Sequence, residues 1–371
     1  MKRHSIAASL TALITPLALS PAFAGPEYTS ASGGTFTFYG NVNPAIVGFD
    51  DGVQSDTDIA DSSKSSTKFG FWLKQPVGEN EFRFQFETRL GFRPSSAISQ
   101  TFLPDAWEWD KTNLRRIDFS YKTARYGTFY IGQGSLASDG AGSTDISGTG
   151  IISDVGIGDF VGSRFLRDSA GALTTVSMGS AFNNFDGARF GRVRYDSPSF
   201  NNFTVGFSYG KNVLNSSDKN RYYDVAINYS NKLPNGMTIA GGLGYLVANT
   251  DVGPNRKDLF GSVSALWDAG WNVTLTAGNR DPDGSFYMTK FGYIAKDWLP
   301  WGTTAVSVDY YRSSDMVSAG DNADSWGLAV VQKVDDYNLQ VYFGYRGYSY
   351  EDNITTYRDA NTYVAGVNWT F

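Results

Sequence analysis

The chain has 371 residues, with 31 Lys and Arg against 37 Asp and Glu, a net charge of −6, one histidine and no cysteine. Residues 1–24 read as a removable secretory signal peptide. Lys2 and Arg3 precede an apolar stretch from Ile6 to Leu19, and the small-residue site Ala22-Phe23-Ala24 follows. Its removal takes away two positive charges and His4, leaving residues 25–371 with a charge of −8 and with neither histidine nor cysteine. That composition excludes the usual zinc ligand sets, Ser-His-Asp and Cys-His catalysis, and any disulfide framework. The absence of a basic tract excludes nucleic acid as a partner.

Glycine is 41 of 371 residues, about 11% against roughly 7% in average usage. Aromatic residues reach 15% and charged residues only 18%. No stretch after residue 24 supplies the ~18 consecutive apolar residues of a membrane-spanning helix. An exported chain rich in glycine and aromatics but poor in helix signals points to an outer-membrane β-barrel.

Taken in chain order, the alternation of apolar and polar residues predicts sixteen strands. They fall at 35–47, 67–75, 81–92, 114–122, 128–134, 190–197, 203–211, 222–232, 237–247, 259–267, 271–280, 285–298, 303–312, 324–334, 338–349 and 362–371. In the third strand Phe82, Phe84 and Phe86 share one face, while Arg83, Gln85 and Glu87 share the other. A soluble sandwich would alternate as well, so the connections decide the class. Short turns such as Leu233-Pro234-Asn235-Gly236 and Asp268-Ala269-Gly270 alternate with long polar linkers. Transmembrane barrels have that asymmetry, with tight periplasmic turns and longer outer loops. Trp267, Trp271, Trp298, Trp301 and Trp369 gather at the short-turn end, as an interfacial aromatic girdle does. The expected fold is therefore an all-β, transmembrane, antiparallel β-barrel of sixteen strands spanning residues 25–371.

The chain resembles the Gram-negative general diffusion porins. Five segments carry the likeness: Gly33–Asn43 (GGTFTFYGNVN), Thr67–Glu87 (TKFGFWLKQPVGENEFRFQFE), Tyr126–Gly132 (YGTFYIG), Val193–Ser199 (VRYDSPS) and Tyr363–Phe371 (YVAGVNWTF). The terminal strand is similar to the signal read by the outer-membrane insertion machinery, with Phe371, Trp369 and Tyr363 as its aromatic residues. The chain departs from many relatives in placing Gln133, not arginine, after the glycine that ends strand five.

The resemblance implies an outer-membrane porin that passes small hydrophilic solutes and ions by passive diffusion. It implies a homotrimer embedded in outer-membrane lipid and lipopolysaccharide, with no cofactor. It also implies that the third outer loop, 135–189, folds into the lumen as a constriction and presents Asp139, Asp145, Asp154 and Asp159. Facing it, alternation places Lys68, Arg83, Arg89, Arg116, Arg192 and Arg194 on the lumen wall, with Arg83 and Arg194 the foremost candidates. Opposed acidic and basic sides would set a transverse field across the pore. Carboxylates at Asp50, Asp51, Asp56, Asp58 and Asp61 in the first loop are hard-cation ligands by type, but lack EF-hand spacing for calcium.

Three other readings compete. A sugar- or anion-selective channel would use a file of inward aromatics or charges, for which Trp72, Tyr130 and Tyr342 are the available rings. A barrel enzyme would need chemistry that the missing histidine denies it. A receptor or structural barrel would carry a plug or an extra domain, and no segment supplies one.

Overall fold

The computed structural model describes Gly25 and residues 27–371, so the expected signal peptide lies outside the described residues. Sixteen strands close into an antiparallel barrel. They are β1 (Thr35–Val42, continued by Pro44–Asp50), β2 (Lys68–Val77), β3 (Asn80–Arg89), β4 (Leu114–Thr123), β5 (Gly127–Ser135), β6 (Arg189–Asp196), β7 (Phe203–Lys211) and β8 (Arg221–Lys232). The second half is β9 (Thr238–Asn249), β10 (Arg256–Leu266), β11 (Trp271–Asp281), β12 (Ser285–Leu299), β13 (Gly302–Ser314), β14 (Asn322–Val334), β15 (Leu339–Glu351) and β16 (Ala360–Thr370). Eight connections, most of them long, lie at one end: L1 (51–67), L2 (90–113), L3 (136–188), L4 (212–220), L5 (250–255), L6 (282–284), L7 (315–321) and L8 (352–359).

Closure occurs between the first and last strands. The upper half of β1 pairs with β16 from Asp50↔Asn361 to Ala45↔Gly366, and Val42↔Trp369 and Asn41↔Thr370 continue the seam. Two further bonds finish it, from Gly40 N–H to Phe371 O (2.9 Å) and from Phe371 N–H to Gly40 O (3.1 Å). A closed sheet leaves no unpaired edge in lipid, which is the condition for a strand-built membrane protein.

The first strand differs from the continuous run expected at 35–47. It breaks at Asn43, before Pro44, which has no N–H to give the ladder. Asn43 is nonetheless fully engaged: its N–H donates to Thr67 Oγ1 (2.9 Å), its amide to Ser65 O (3.0 Å), and its Oδ1 accepts from Tyr342 OH (2.8 Å). Below the break β1 pairs with β2, whereas above it the strand pairs with a further strand, Ser55–Asp61, inside L1. L1 is therefore largely structured. L3 likewise contains a small hairpin (Phe165–Arg167 with Leu173–Ser177) and a one-turn helix, Met178–Ala181.

Alternation is realised in three dimensions. Phe82, Phe119, Phe207, Val263, Leu328 and Phe343 are exposed on the outer wall, while Gln85, Asp118, Ser208, Asp224 and Ser262 are buried on the inner one. The five rim tryptophans are all exposed at the short-turn end. An inverted packing results, because the apolar core lies inside the barrel between L3 and the wall. Leu136, Ile157, Met178, Phe182, Phe260, Phe286, Tyr311 and Tyr348 belong to it. At roughly 25 cal/mol per Å² of buried apolar surface, that core holds L3 as a packed element and not as a loose strap.

Candidate pore constriction

L3 runs along the inner face of the barrel, and serine hydroxyls and carboxylates of successive strands bind its backbone. Ala137 N–H donates to Ser208 Oγ on β7 (3.0 Å), Ser138 N–H to Asp224 Oδ2 on β8 (2.6 Å), and Thr144 N–H to Ser262 Oγ on β10 (2.8 Å). Farther along, Thr149 Oγ1 meets Ser307 Oγ on β13 (2.8 Å), and Tyr348 OH on β15 donates to Ile157 O (3.0 Å). The returning half crosses the same strands, where Ser313 Oγ donates to Ala181 O (2.8 Å) and Arg280 lies 4.1 Å from the Phe185 ring centroid. The loop thus covers the wall from β7 to β16 and reaches the upper half of β1, where Ala45, Val47 and Phe49 join its core. The open lumen is left on the other side, against the lower half of β1, β2 to β4 and the start of β6.

The six basic residues named from the sequence fall into three groups. Arg83 sits near the short-turn end, ion-paired with Glu81. Arg192 and Arg194 grip the root of L3. Arg192 donates to Asp118 (2.5 Å) and to the carbonyls of Ser135 (3.0 Å) and Gly132 (3.1 Å), and Arg194 pairs with Asp196 (2.8 Å) and donates to Leu136 O (2.8 Å). Both guanidinium groups lie 5.4 Å from the Tyr130 ring centroid. The third group is Lys68, Arg89 and Arg116, on the open wall.

Lys68 and Arg89 are register partners directly across β2 and β3, an arrangement that costs stability when nothing neutralises it. Lys68 donates to Asn41 Oδ1 (2.7 Å) and Ser65 Oγ (3.3 Å), and Arg116 donates to Ser135 Oγ (3.0 Å). Among the described residues, no carboxylate lies within 4.0 Å of any of the three side-chain cations.

Of the four L3 aspartates named from the sequence, three have a close basic partner. Asp139 pairs with Arg189 (3.3 Å), Asp145 with Lys290, and Asp154 with Lys64 from L1. Asp159 lies 3.7 Å from the same Lys64, with half of its side chain exposed. The first-loop carboxylates face arginines of L3. Asp56 and Asp58 bind Arg164 (2.7 Å each) and Asp51 binds Arg167 (2.7 Å). No group of carboxylates with metal-holding geometry occurs among the described residues.

Arg115, Arg189, Lys64 and Lys290 were not indicated by sequence reasoning. Arg115 lies at a register shift between β3 and β4, where Glu87 faces Arg116 and Thr88 faces Leu114. The extra residue is thereby turned toward Glu87 (2.5 Å) although strict alternation would place it in lipid. Arg189 opens β6, and its Nε is buried without a partner. The three inward rings form no file, since Tyr130 lies beside two arginines and Tyr342 is buried against Asn43.

The two ends of L3 are joined by Asp186. Its Oδ1 accepts from Gly140 N–H (3.0 Å) and Gly142 N–H (3.1 Å), and its Oδ2 from Ser143 Oγ (2.6 Å). Burial, and then the negative charge of Asp139, push its carboxyl up to about 6 against the pull of those bonds. At the chain end, Trp369 and Tyr363 are exposed on the outer wall, and the Phe371 ring stacks on Phe38 at 5.7 Å.

A barrel with an apolar outer belt, a hydrogen-bonded polar wall and a long loop packed inside defines an outer-membrane channel. The chain belongs to the Gram-negative porin family, whose family model matches residues 9–353. Among solved structures, it is similar to the anion-selective porin from Comamonas acidovorans, with a TM-score of 0.61 and 15% identity over 91% of this chain and 100% of that one. It is also similar to OmpT of Vibrio cholerae (TM-score 0.59, 14% identity, 93% of this chain and 100% of that one). OprB of Pseudomonas putida is a third (TM-score 0.59, 11% identity, 91% and 94%). At these identities the likeness is one of fold. A search of curated proteins found no match.

Proposed function

We propose that this outer-membrane porin passes small hydrophilic solutes and ions through the gap between L3 and the β1 to β4 wall, with L3 as the constriction and with a preference for anions. The observation that carries the reading is the imbalance of unpaired charge. Lys68, Arg89 and Arg116 face the gap without carboxylate partners, whereas Asp139, Asp145 and Asp154 are each neutralised by a basic residue and Asp159 alone is left sharing Lys64. A single unpaired charge ~8 Å from a passing ion contributes about 0.5 kcal/mol in water, roughly a twofold change in local ion concentration. The similar protein from Comamonas acidovorans is itself described as an anion-selective porin.

A homotrimer in lipid and lipopolysaccharide is part of the proposal. It is supported by the trimer form described for the Vibrio protein and by the exposed Phe102, Leu103, Trp107 and Trp109 of L2, which could latch onto a neighbour. Export through a signal peptide at 1–24 completes it. The test is the reversal potential in a salt gradient for the combined variant Lys68→Gln/Arg89→Gln/Arg116→Gln. The expected result is a shift toward cations that shrinks at high salt, as the Debye length falls from ~10 Å at 0.1 M to ~3 Å at 1 M. An unchanged reversal potential at low salt overturns the reading.

A further inference from the structure

The middle of L3 leaves the inner wall and joins three other loops at the rim. Ser163 N–H donates to Ser96 O of L2 (2.9 Å), while Phe165 exchanges two bonds with the Gln100 side chain, its N–H donating to Oε1 (3.0 Å) and its carbonyl accepting from Nε2 (2.8 Å). Arg164 reaches both Asp56 and Asp58 of L1, and Arg167 reaches Asp51. L8 is joined through its backbone, as Ser169 N–H donates to Thr356 O (2.8 Å) and Arg358 N–H donates to Arg167 O (2.9 Å), around the antiparallel bridge Asp168↔Tyr357.

The position of these three loops is what matters. L1 and L2 connect β1 to β2 and β3 to β4, strands that border the part of the lumen L3 leaves open, and L8 connects β15 to β16 beside them. The hairpin is therefore held at the outer rim beside that gap. It is also seated firmly. The Arg164 side chain is only 4% exposed, holds two carboxylates at once and lies 5.5 Å from the Phe49 ring centroid. Removing one member of such a sealed ion pair is strongly destabilising, because it strands the other charges.

We infer that the Phe165–Ser177 hairpin is an outer filter, which excludes bulky solutes before they reach the constriction, and that Arg164 is the positioning residue that seats it. Size exclusion at the mouth then belongs to L3, and charge selection in the lumen to the β2 to β4 wall. The inference rests on the channel assignment but not on the anion preference.

Swelling of proteoliposomes by a neutral trisaccharide and a neutral monosaccharide tests it. Arg164→Gln should raise trisaccharide entry several-fold relative to the monosaccharide. Asp56→Asn/Asp58→Asn, which alters only the more exposed partners, should do the same if Arg164→Gln does not assemble. The chain has no cysteine, so an Asp168→Cys/Tyr357→Cys pair in the Arg164→Gln background can be oxidised to re-seat the hairpin. Oxidation should restore exclusion and reduction should release it. A trisaccharide-to-monosaccharide ratio equal to wild type in the assembled variants, or one that oxidation does not restore, overturns the filter. Wild-type protein that passes neither sugar overturns the channel reading instead.

Discussion

Removal of Arg192 is the sharpest test of how L3 is anchored. Asp118 on β4, Gly132 on β5 and Arg192 on β6 are in register, so the arginine reaches over a glycine to meet the carboxylate two strands away. Gly134 keeps the path clear as well, since a Cβ there would come within 2.8 Å of Arg192 Nη2. The Arg192 side chain is 1% exposed and that of Asp118 is 5% exposed, and Asp118 Oδ1 already has no partner. Arg192→Gln leaves a buried carboxylate unpaired and frees two carbonyls at the loop root, for which about 3–5 kcal/mol of lost stability is expected. Urea unfolding in lipid vesicles, followed by tryptophan fluorescence, measures that loss. The variant Arg192→Gln/Asp118→Asn removes the stranded charge and should recover most of it. A loss below about 1 kcal/mol for Arg192→Gln, or no recovery in the double variant, would refute the role of this pair as a latch.

Other predictions address the wall, the chain end and the loop root. Phe84→Arg places a charge on the lipid face at a cost of about 2–4 kcal/mol near mid-bilayer and should impair insertion. Gln85→Arg points into the lumen on the face that carries Glu87 and should assemble, so equal insertion of the two contradicts the register of β3. Deletion of Phe371 removes the residue that closes the seam with Gly40 and should reduce outer-membrane levels without reducing synthesis; normal levels argue against its role in assembly. Asp186 is raised in the folded protein to about 6, above the ~3.9 of an unfolded aspartate, so the loop root gains stability below pH ~4 and loses it as pH rises through 6. Asp186→Asn should therefore unfold at a higher temperature than wild type at pH 7 and at the same temperature at pH 4. Parallel melting curves for the two proteins across that range contradict this sign.

The barrel wall was legible because each wall residue meets either lipid or the polar interior, which writes a period of two into the chain. β7 occupies Phe203–Lys211, the range its alternation defines. Ser55–Asp61 looks like loop in the sequence because its alternate acids, Asp56 and Asp58, resemble a solvated run, and Arg164, which holds them, lies more than a hundred positions away. The site was less legible for the same reason. Lys290 neutralises Asp145 from the far side of the barrel, and Lys64 does so for Asp154 from another loop. Which charges remain free thus depends on the path of L3. Arg115 is not legible in the sequence because a single bulge reverses the face that alternation assigns.

The most direct measurement is of single-channel current from the refolded protein in a planar bilayer. An open gap beside L3 predicts discrete current steps whose size grows with bulk salt concentration, as expected of a water-filled path. Insertion of folded barrels without such steps would contradict the account.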